Sequence, residues 1–286
     1  MRERMMLLAT LLAAIVVTVV TTVVLVLVDP AAPRADAVRT GAIGGGAVVA
    51  LYALWLNDRR RRTEEARHVL EGEKAADERF ARSVELLGHE ADQVRVGALH
   101  ALAWLAGATP RYKQTVLDVL CAYLRRPFEH PGLPDADVET DATSASSLDA
   151  DREREVRLTA QRLIADLLPW GDDPDTRAYH LDLSGARLEH LRLEGRRIGR
   201  LVARRARFHG ITQLGMLQAG KPVLLTEASF LGRLNLRDAQ LRGGLSLHHT
   251  TFAGEVALAG LTVGTFLDVT TDPPAELIGR LALAEG

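Results

Sequence analysis

Cut into elevens, residues 206–271 read ARFHGITQLGM, LQAGKPVLLTE, ASFLGRLNLRD, AQLRGGLSLHH, TTFAGEVALAG and LTVGTFLDVTT. Positions 1, 3, 7 and 9 of each unit are apolar in 22 of 24 cases, Thr212 and Thr250 being the exceptions. A chain that is 47% hydrophobic would give about half by composition alone, so the phasing is a repeat. The four positions share one parity, which is the alternation of a strand with one buried face; a helix needs spacings of three and four. Units this short cannot bury their apolar face alone and must stack. Gly210, Gly232, Gly243 and Gly254 recur at position 5, where they suit a corner that a Cβ would crowd. Two elevens therefore predict one turn of a parallel β-helix. Phe208, Phe230 and Phe252 should pile into an interior column, with a rise of roughly 4.8 Å per turn.

The stretch before it has a shorter period. Residues 181–205 divide into LDLSG, ARLEH, LRLEG, RRIGR and LVARR. Leu183, Leu188, Leu193, Ile198 and Ala203 hold the centres, and Leu181, Ala186, Leu191, Arg196 and Leu201 stand two residues earlier. This resembles the pentapeptide-repeat family, most closely in LDLSG-ARLEH; RRIGR departs from it, because Arg196 falls where an inward residue belongs. The resemblance covers 181–205, with 206–271 as a looser eleven-residue variant. It implies a right-handed β-helix of squarish cross-section. The expected fold is thus α + β: a helical N-terminal part followed by a right-handed parallel β-helix over 181–271.

The chain has 286 residues, enough for two or three domains, and a net charge of −2 with a pI near 6.5. That balance argues neither for a nucleic-acid binder nor for an acidic mimic. The single cysteine, Cys121, excludes an intrachain disulfide and points to a reducing compartment.

Residues 5–28 carry no charge and are long enough to span a bilayer. Ala35-Asp36-Ala37 has the form of a cleavage site, but the apolar run is longer than a usual signal-peptide core. Residues 40–57 form a second uncharged run, with Tyr52 and Trp55 placed as interfacial aromatics and Arg59–Arg62 directly after. A transmembrane hairpin over 1–62 follows, with a loop over 29–39 and, by the positive-inside rule, both termini on the cytoplasmic side of the plasma membrane. Gly41 and Gly45 form a GxxxG, with Ala42 and Gly46 as a second small pair; close packing within the hairpin or between protomers is expected, including a possible homo-oligomer.

Residues 63–126 read as cytoplasmic helices. The first, over 63–87, is highly charged, with Val69, Phe80, Val84 and Leu87 on its apolar side and Glu64–His68 or Glu78–Arg82 as pairs. An amphipathic pair follows over 92–107 and 110–126. Asp92 is the expected cap of the first, with Val94, Ala98, Ala101, Leu102 and Leu105 inward; Val116, Val119, Leu120, Tyr123 and Leu124 face inward from the second. The pattern from Asp92 to Leu102 resembles a HEAT-type helix, and the pair looks like the segment preceding the repeats in bacterial membrane-anchored pentapeptide proteins. Residues 127–150, rich in Pro, Asp and Ser, read as a flexible linker. A helix over 151–170, with Val156, Ala160, Leu163, Ile164 and Leu167 inward, is placed to cover the open end of the coil. Residues 272–286 are expected to cap the other end.

No fingerprint for nucleotide, metal or nucleophile chemistry is present. His248-His249 fall outside the buried set, Ser184, Ser229 and Ser246 lack an accompanying base and acid, and His100 reads as structural. No catalytic, cofactor or metal residue is therefore expected. The remaining feature is charge. Residues 181–271 hold 12 Arg and Lys against 7 Asp and Glu, and Arg196, Arg197, Arg200, Arg204 and Arg205 crowd together. Some pentapeptide-repeat proteins present an acidic rod to topoisomerases; the sign here opposes that role. The expectation is a non-enzymatic, membrane-anchored scaffold for a cytoplasmic protein partner. Nucleic-acid mimicry and a rod touching lipid headgroups through Arg196–Arg205 are the alternatives.

Overall fold

The computed structural model describes residues 2–28, 34–130, 132–133 and 144–269. Among the described residues helices α1 (Arg2–Val28), α2 (Arg34–Leu86), α3 (Asp92–Ala108), α4 (Lys113–Leu124) and α5 (Ser144–Leu167) precede sixteen strands of two or three residues. The chain divides into two units, residues 1–75 and 76–286.

In the first unit α2 begins at Arg34, inside the stretch expected to be loop, and runs without a break through the junction between the second apolar run and the charged helix. The sequence explains this: no Gly or Pro stands between Gly46 and Gly72, so the change of polarity at Asp58 alters the preferred solvent and leaves the backbone alone. Among the described residues one stretch, Val38–Arg59, is long and apolar enough to cross a bilayer, while the apolar helical run Ala9–Val24 is shorter. The GxxxG packs inside the unit. A Cβ on Gly41 would lie 2.7 Å from the Thr18 carbonyl oxygen, and one on Gly45 3.0 Å from that of Ala14, whereas Gly46 faces open space. Thr18 and Thr22 hydroxyls donate to the carbonyls of Ala14 and Thr18, both at 2.8 Å, so no hydroxyl there lacks an acceptor. Tyr52 stacks on Trp55, and Arg59 lies 5.4 Å over the Trp55 ring.

In the second unit α3, α4 and α5 pack on one another, with a 3-10 turn at Pro110–Tyr112 between the first two. The buried stripe of α3 is Ala98, Leu99, Leu102, Leu105 and Ala106. It is rotated from the expected one: Ala101 is exposed, and so is His100. Asp92 is the first helical residue and not the cap; Ala91 holds that place, and its N–H donates to His89 Nδ1 at 3.0 Å. On α2 Arg82 pairs with Glu85 at 2.7 Å and His68 lies 3.9 Å from Glu71, while the Glu64 side chain of the expected Glu64–His68 pair lies outside the described residues. Helix α5 begins at Ser144, so the end of the stretch read as linker is helical. All five expected inward residues of α5 are buried. The expected C-terminal cap over 272–286 lies outside the described residues.

From Leu181 to Asp268 the chain winds a parallel β-solenoid of about four turns with four walls. The first wall stacks Leu181–Asp182, Leu201–Val202, Val223–Leu224, Leu245–Ser246 and Leu267–Asp268. The second stacks Arg187–Glu189, Arg207–His209, Ser229–Phe230 and Thr251–Phe252. The third holds Thr212–Gln213, Leu234–Asn235 and Val256–Ala257, and the fourth Arg197–Ile198, Gln218–Ala219, Gln240–Leu241 and Thr262–Val263. The Phe column forms as expected: Phe208 and Phe230 stack at 4.5 Å and Phe230 and Phe252 at 5.4 Å, the rings of each pair nearly parallel. Both Thr exceptions are inward and buried all the same.

The register shows how fives become elevens. Leu181 pairs with Leu201 and Leu188 with Phe208, Ile198 with Ala219, then Leu201 with Val223 and Phe208 with Phe230. The turn thus lengthens by one residue at Gly210–Ile211 and by another at Lys221–Pro222. Each eleven has one tight corner and one wide corner. The tight corners place Gly185, Gly195, Arg205, Met216, Glu227, Asp238, His249 and Gly260 in the left-handed region, with φ between 52° and 73°. One column of wide corners stacks Gly on Gly, where a Cβ on Gly254 would lie 2.6 Å from the carbonyl carbon of Gly232, and the other sets Gly243 against the backbone of Lys221.

Candidate functional site

The open edge of the first turn is the place where a solenoid must satisfy unpaired backbone. Side chains of the helices do it. The α4 residue Gln114 accepts from the His180 N–H at 2.8 Å and donates to its carbonyl at 2.9 Å, standing in for a strand. Gln161 of α5 accepts from the Glu189 N–H at 3.2 Å, and Arg154 forks onto the Glu189 carboxylate. Arg157, only 3% exposed, donates to the carbonyls of Tyr123, Leu124 and Arg126 at the end of α4 and to that of Arg187 in the coil. On the fourth wall the Pro169 carbonyl accepts from the Arg197 N–H at 2.8 Å. Helices and solenoid therefore share one continuous core.

The five crowded arginines separate by role. Arg196 lies half-buried, 5.5 Å over the Trp170 ring, and donates to the Leu168 carbonyl at 3.2 Å, beside Asp166 at 3.7 Å. Its departure from the repeat is the contact with the helical cap: a cation meets the carbonyl end of α5, where the helix dipole favours it. Arg197 donates to the carbonyls of Asp173 and Asp175. Arg200, Arg204 and Arg205 are exposed at the corners on either side of the strand Leu201–Val202. The basic surface is thus three residues strong where the sequence counts five.

The remaining singled-out residues are placed as follows. Cys121 is buried, and burial pushes its thiol up to about 12, which makes it inert as a nucleophile at neutral pH. His248 and His249 lie edge to face at 4.1 Å, with Asp268 3.9 Å from His248. Among the described residues no group of three His, Cys, Asp or Glu side chains is gathered as for a metal ion. Ser184 and Ser246 hydroxyls donate to Asp182 and Asp268, at 2.7 and 3.1 Å. Lys113 and Tyr179 donate to the Asp175 carboxylate at 2.9 and 2.7 Å; burial raises that carboxyl, but the hydrogen bonds outweigh it and hold it at about 2. A groove on the fourth wall, between Arg177 and the strands carrying Arg197, Gln218 and Gln240, escaped sequence reasoning. Its signal was present in the outward column of that wall, hidden by the lengthening of the turn at Gly210–Ile211. No family model matches the chain, and no curated protein or solved structure is significantly similar to it.

Proposed function

We propose that the chain is a membrane-anchored, non-catalytic scaffold of the pentapeptide-repeat type, with a right-handed coil and both termini in the cytoplasm. The observation that carries this is the division of labour in each turn. Every inward position from Ala206 to Leu247 is buried, so the polar side chains stand outward in regular columns on four walls. Such a molecule has a dry axis and an extended surface, which suits recognition of a protein partner. The two-span hairpin rests on α1 and the first part of α2; the apolar stretch Val38–Arg59 and the packing of Gly41 and Gly45 on Thr18 support it. The helical pair α3–α4 is read as HEAT-like from the pattern Asp92 to Leu102, and its second helix packs on the first strand of the coil. Nucleic-acid mimicry is opposed by the excess of Arg and Lys over residues 181–271.

The test is photo-crosslinking in cells with the full chain, placing the crosslinker at outward positions Gln213, Leu224 and Gln240 and, as controls, at Trp104 and Leu148. A discrete protein adduct from solenoid positions and not from the controls is expected. Adducts only to lipid, or none, would count against the scaffold reading. Alkaline extraction of membranes tests the anchor, since a peripheral protein would be released.

A further inference from the structure

On the fourth wall the outward side chains of consecutive strands are Arg197, Gln218 and Gln240, direct neighbours in register. The segment Thr176–Ala178 runs beside them, and with Arg177 and Arg242 they line a groove of about 210 Å³. No carboxylate lines it. Asp173 and Asp175 turn backbone carbonyls, not side chains, toward Arg197, and the Asp175 carboxylate is already engaged by Lys113 and Tyr179. Arg177 is anchored on the Pro110 carbonyl at 3.0 Å. The Arg197 Nε is buried without a hydrogen-bond partner. Among the described residues the side chains of Gln218, Gln240 and Arg242 form no hydrogen bond or ion pair.

A guanidinium offers only donors. Three guanidinium groups and two amides around one shallow groove need an acceptor-rich ligand with negative charge, and the planar Arg fork matches phosphate and carboxylate oxygens. The groove is smaller than the roughly 300–1,000 Å³ usual for larger ligands, so the partner is compact. We propose that this groove binds a small oxyanion, a phosphoryl or carboxylate group on a compact molecule, with Arg197, Arg242, Gln218 and Gln240 as its donors.

The experiment is calorimetric titration of the full chain in a neutral detergent at low ionic strength. Sodium phosphate and sodium malonate are the probes, and sodium chloride is the control. Saturable one-to-one binding of phosphate, malonate or both is expected, with chloride giving dilution heats only; the anion bound identifies the oxyanion class. Arg242→Gln should weaken binding about tenfold, the scale of one charge-assisted contact. Gln218→Glu, which places a carboxylate in the groove, should abolish binding. Arg204→Gln, on an exposed corner away from the groove, should leave it unchanged. Circular dichroism reports that each variant is folded, and Arg242 is exposed enough that its loss leaves the core intact. Absence of saturable binding to either anion, or equal weakening by Arg204→Gln and Arg242→Gln, overturns the proposal.

Discussion

Thr212 and Thr250 sit in the same inward set as the Leu and Val residues around them, yet the two hydroxyls have opposite fates. Thr250 Oγ1 donates to the Leu225 carbonyl at 2.8 Å. Thr212 Oγ1 is buried and has no partner. Val223 and Leu234 fill the position of Thr212 in the next two units, so the site accepts an aliphatic side chain. Thr212→Val, isosteric and without the stranded hydroxyl, should be neutral to stabilising by about 1 kcal/mol, while Thr250→Val should cost about 1 kcal/mol. Denaturant unfolding of the two variants checks the contrast, and equal effects of the same sign would contradict it. Glycine gives a second pair. A Cβ at Gly232 would lie 2.6 Å from the Gly210 carbonyl carbon, whereas one at Gly220 would meet nothing nearer than the Ile198 carbonyl oxygen at 4.0 Å. Gly232→Ala forces two backbones apart and should destabilise by roughly 1–3 kcal/mol, the range of overpacking. Gly220→Ala should be close to neutral. Similar unfolding midpoints for these two variants would remove the backbone-on-backbone account of the wide corner.

The helical cap and the first turn meet through side chains that imitate a strand, and one of them titrates. His180 Nδ1 accepts from the Arg200 N–H at 3.0 Å, so the bond needs that nitrogen unprotonated. Burial, then the charges of Lys221 and Arg200, lower the folded pKa of His180, with Asp118 opposing. The unfolded chain takes up the proton near pH 6.5, before the folded one does. The contribution to stability is therefore complete above that pH and is lost as pH falls through the window between the unfolded and the folded pKa. Unfolding midpoints followed from alkaline to acid pH should show this loss, and His180→Gln, whose amide oxygen can still accept, should flatten it. A variant that keeps the full acid-side slope would assign the slope to other groups. The same junction explains Arg196: a reading of inward positions alone marks it as an error, but the carbonyl of Leu168 and the ring of Trp170 give the side chain a place at the end of α5.

At the scale of the molecule, the solenoid was legible because its inward positions repeat with fixed parity and because Phe208, Phe230 and Phe252 recur at twice the unit length. The tight corners were not legible. Arg205, Met216, Glu227, Asp238 and His249 adopt left-handed backbone there, where sequence reasoning looks for Gly or Asn; the stacked neighbouring turns, not the residue type, impose the conformation. The groove was hidden for a related reason, since it depends on which outward residues align after the turn has lengthened. That lengthening sets the last prediction. Phe208 pairs with Phe230, and Leu245 with Leu267, so a full turn of the later coil is 22 residues. Removing residues 228–249 excises one such turn and joins Glu227 to Thr250, keeping every later residue in phase: Phe252 then stacks on Phe208 and Leu267 on Val223. In a molecule stabilised mainly between neighbouring turns, the loss lowers the unfolding midpoint but leaves a cooperative transition. Removing residues 230–249 takes out two residues fewer, a full turn of the earlier coil. Parity survives, but Phe252 then falls two places late, at the wide corner that Gly232 now occupies, where neighbouring backbone already excludes a Cβ. The shorter deletion should therefore be the more damaging, with loss of cooperative unfolding and rapid proteolysis of the solenoid. If both deletions unfold alike, parity alone holds the coil together and the corner stack does not set its register.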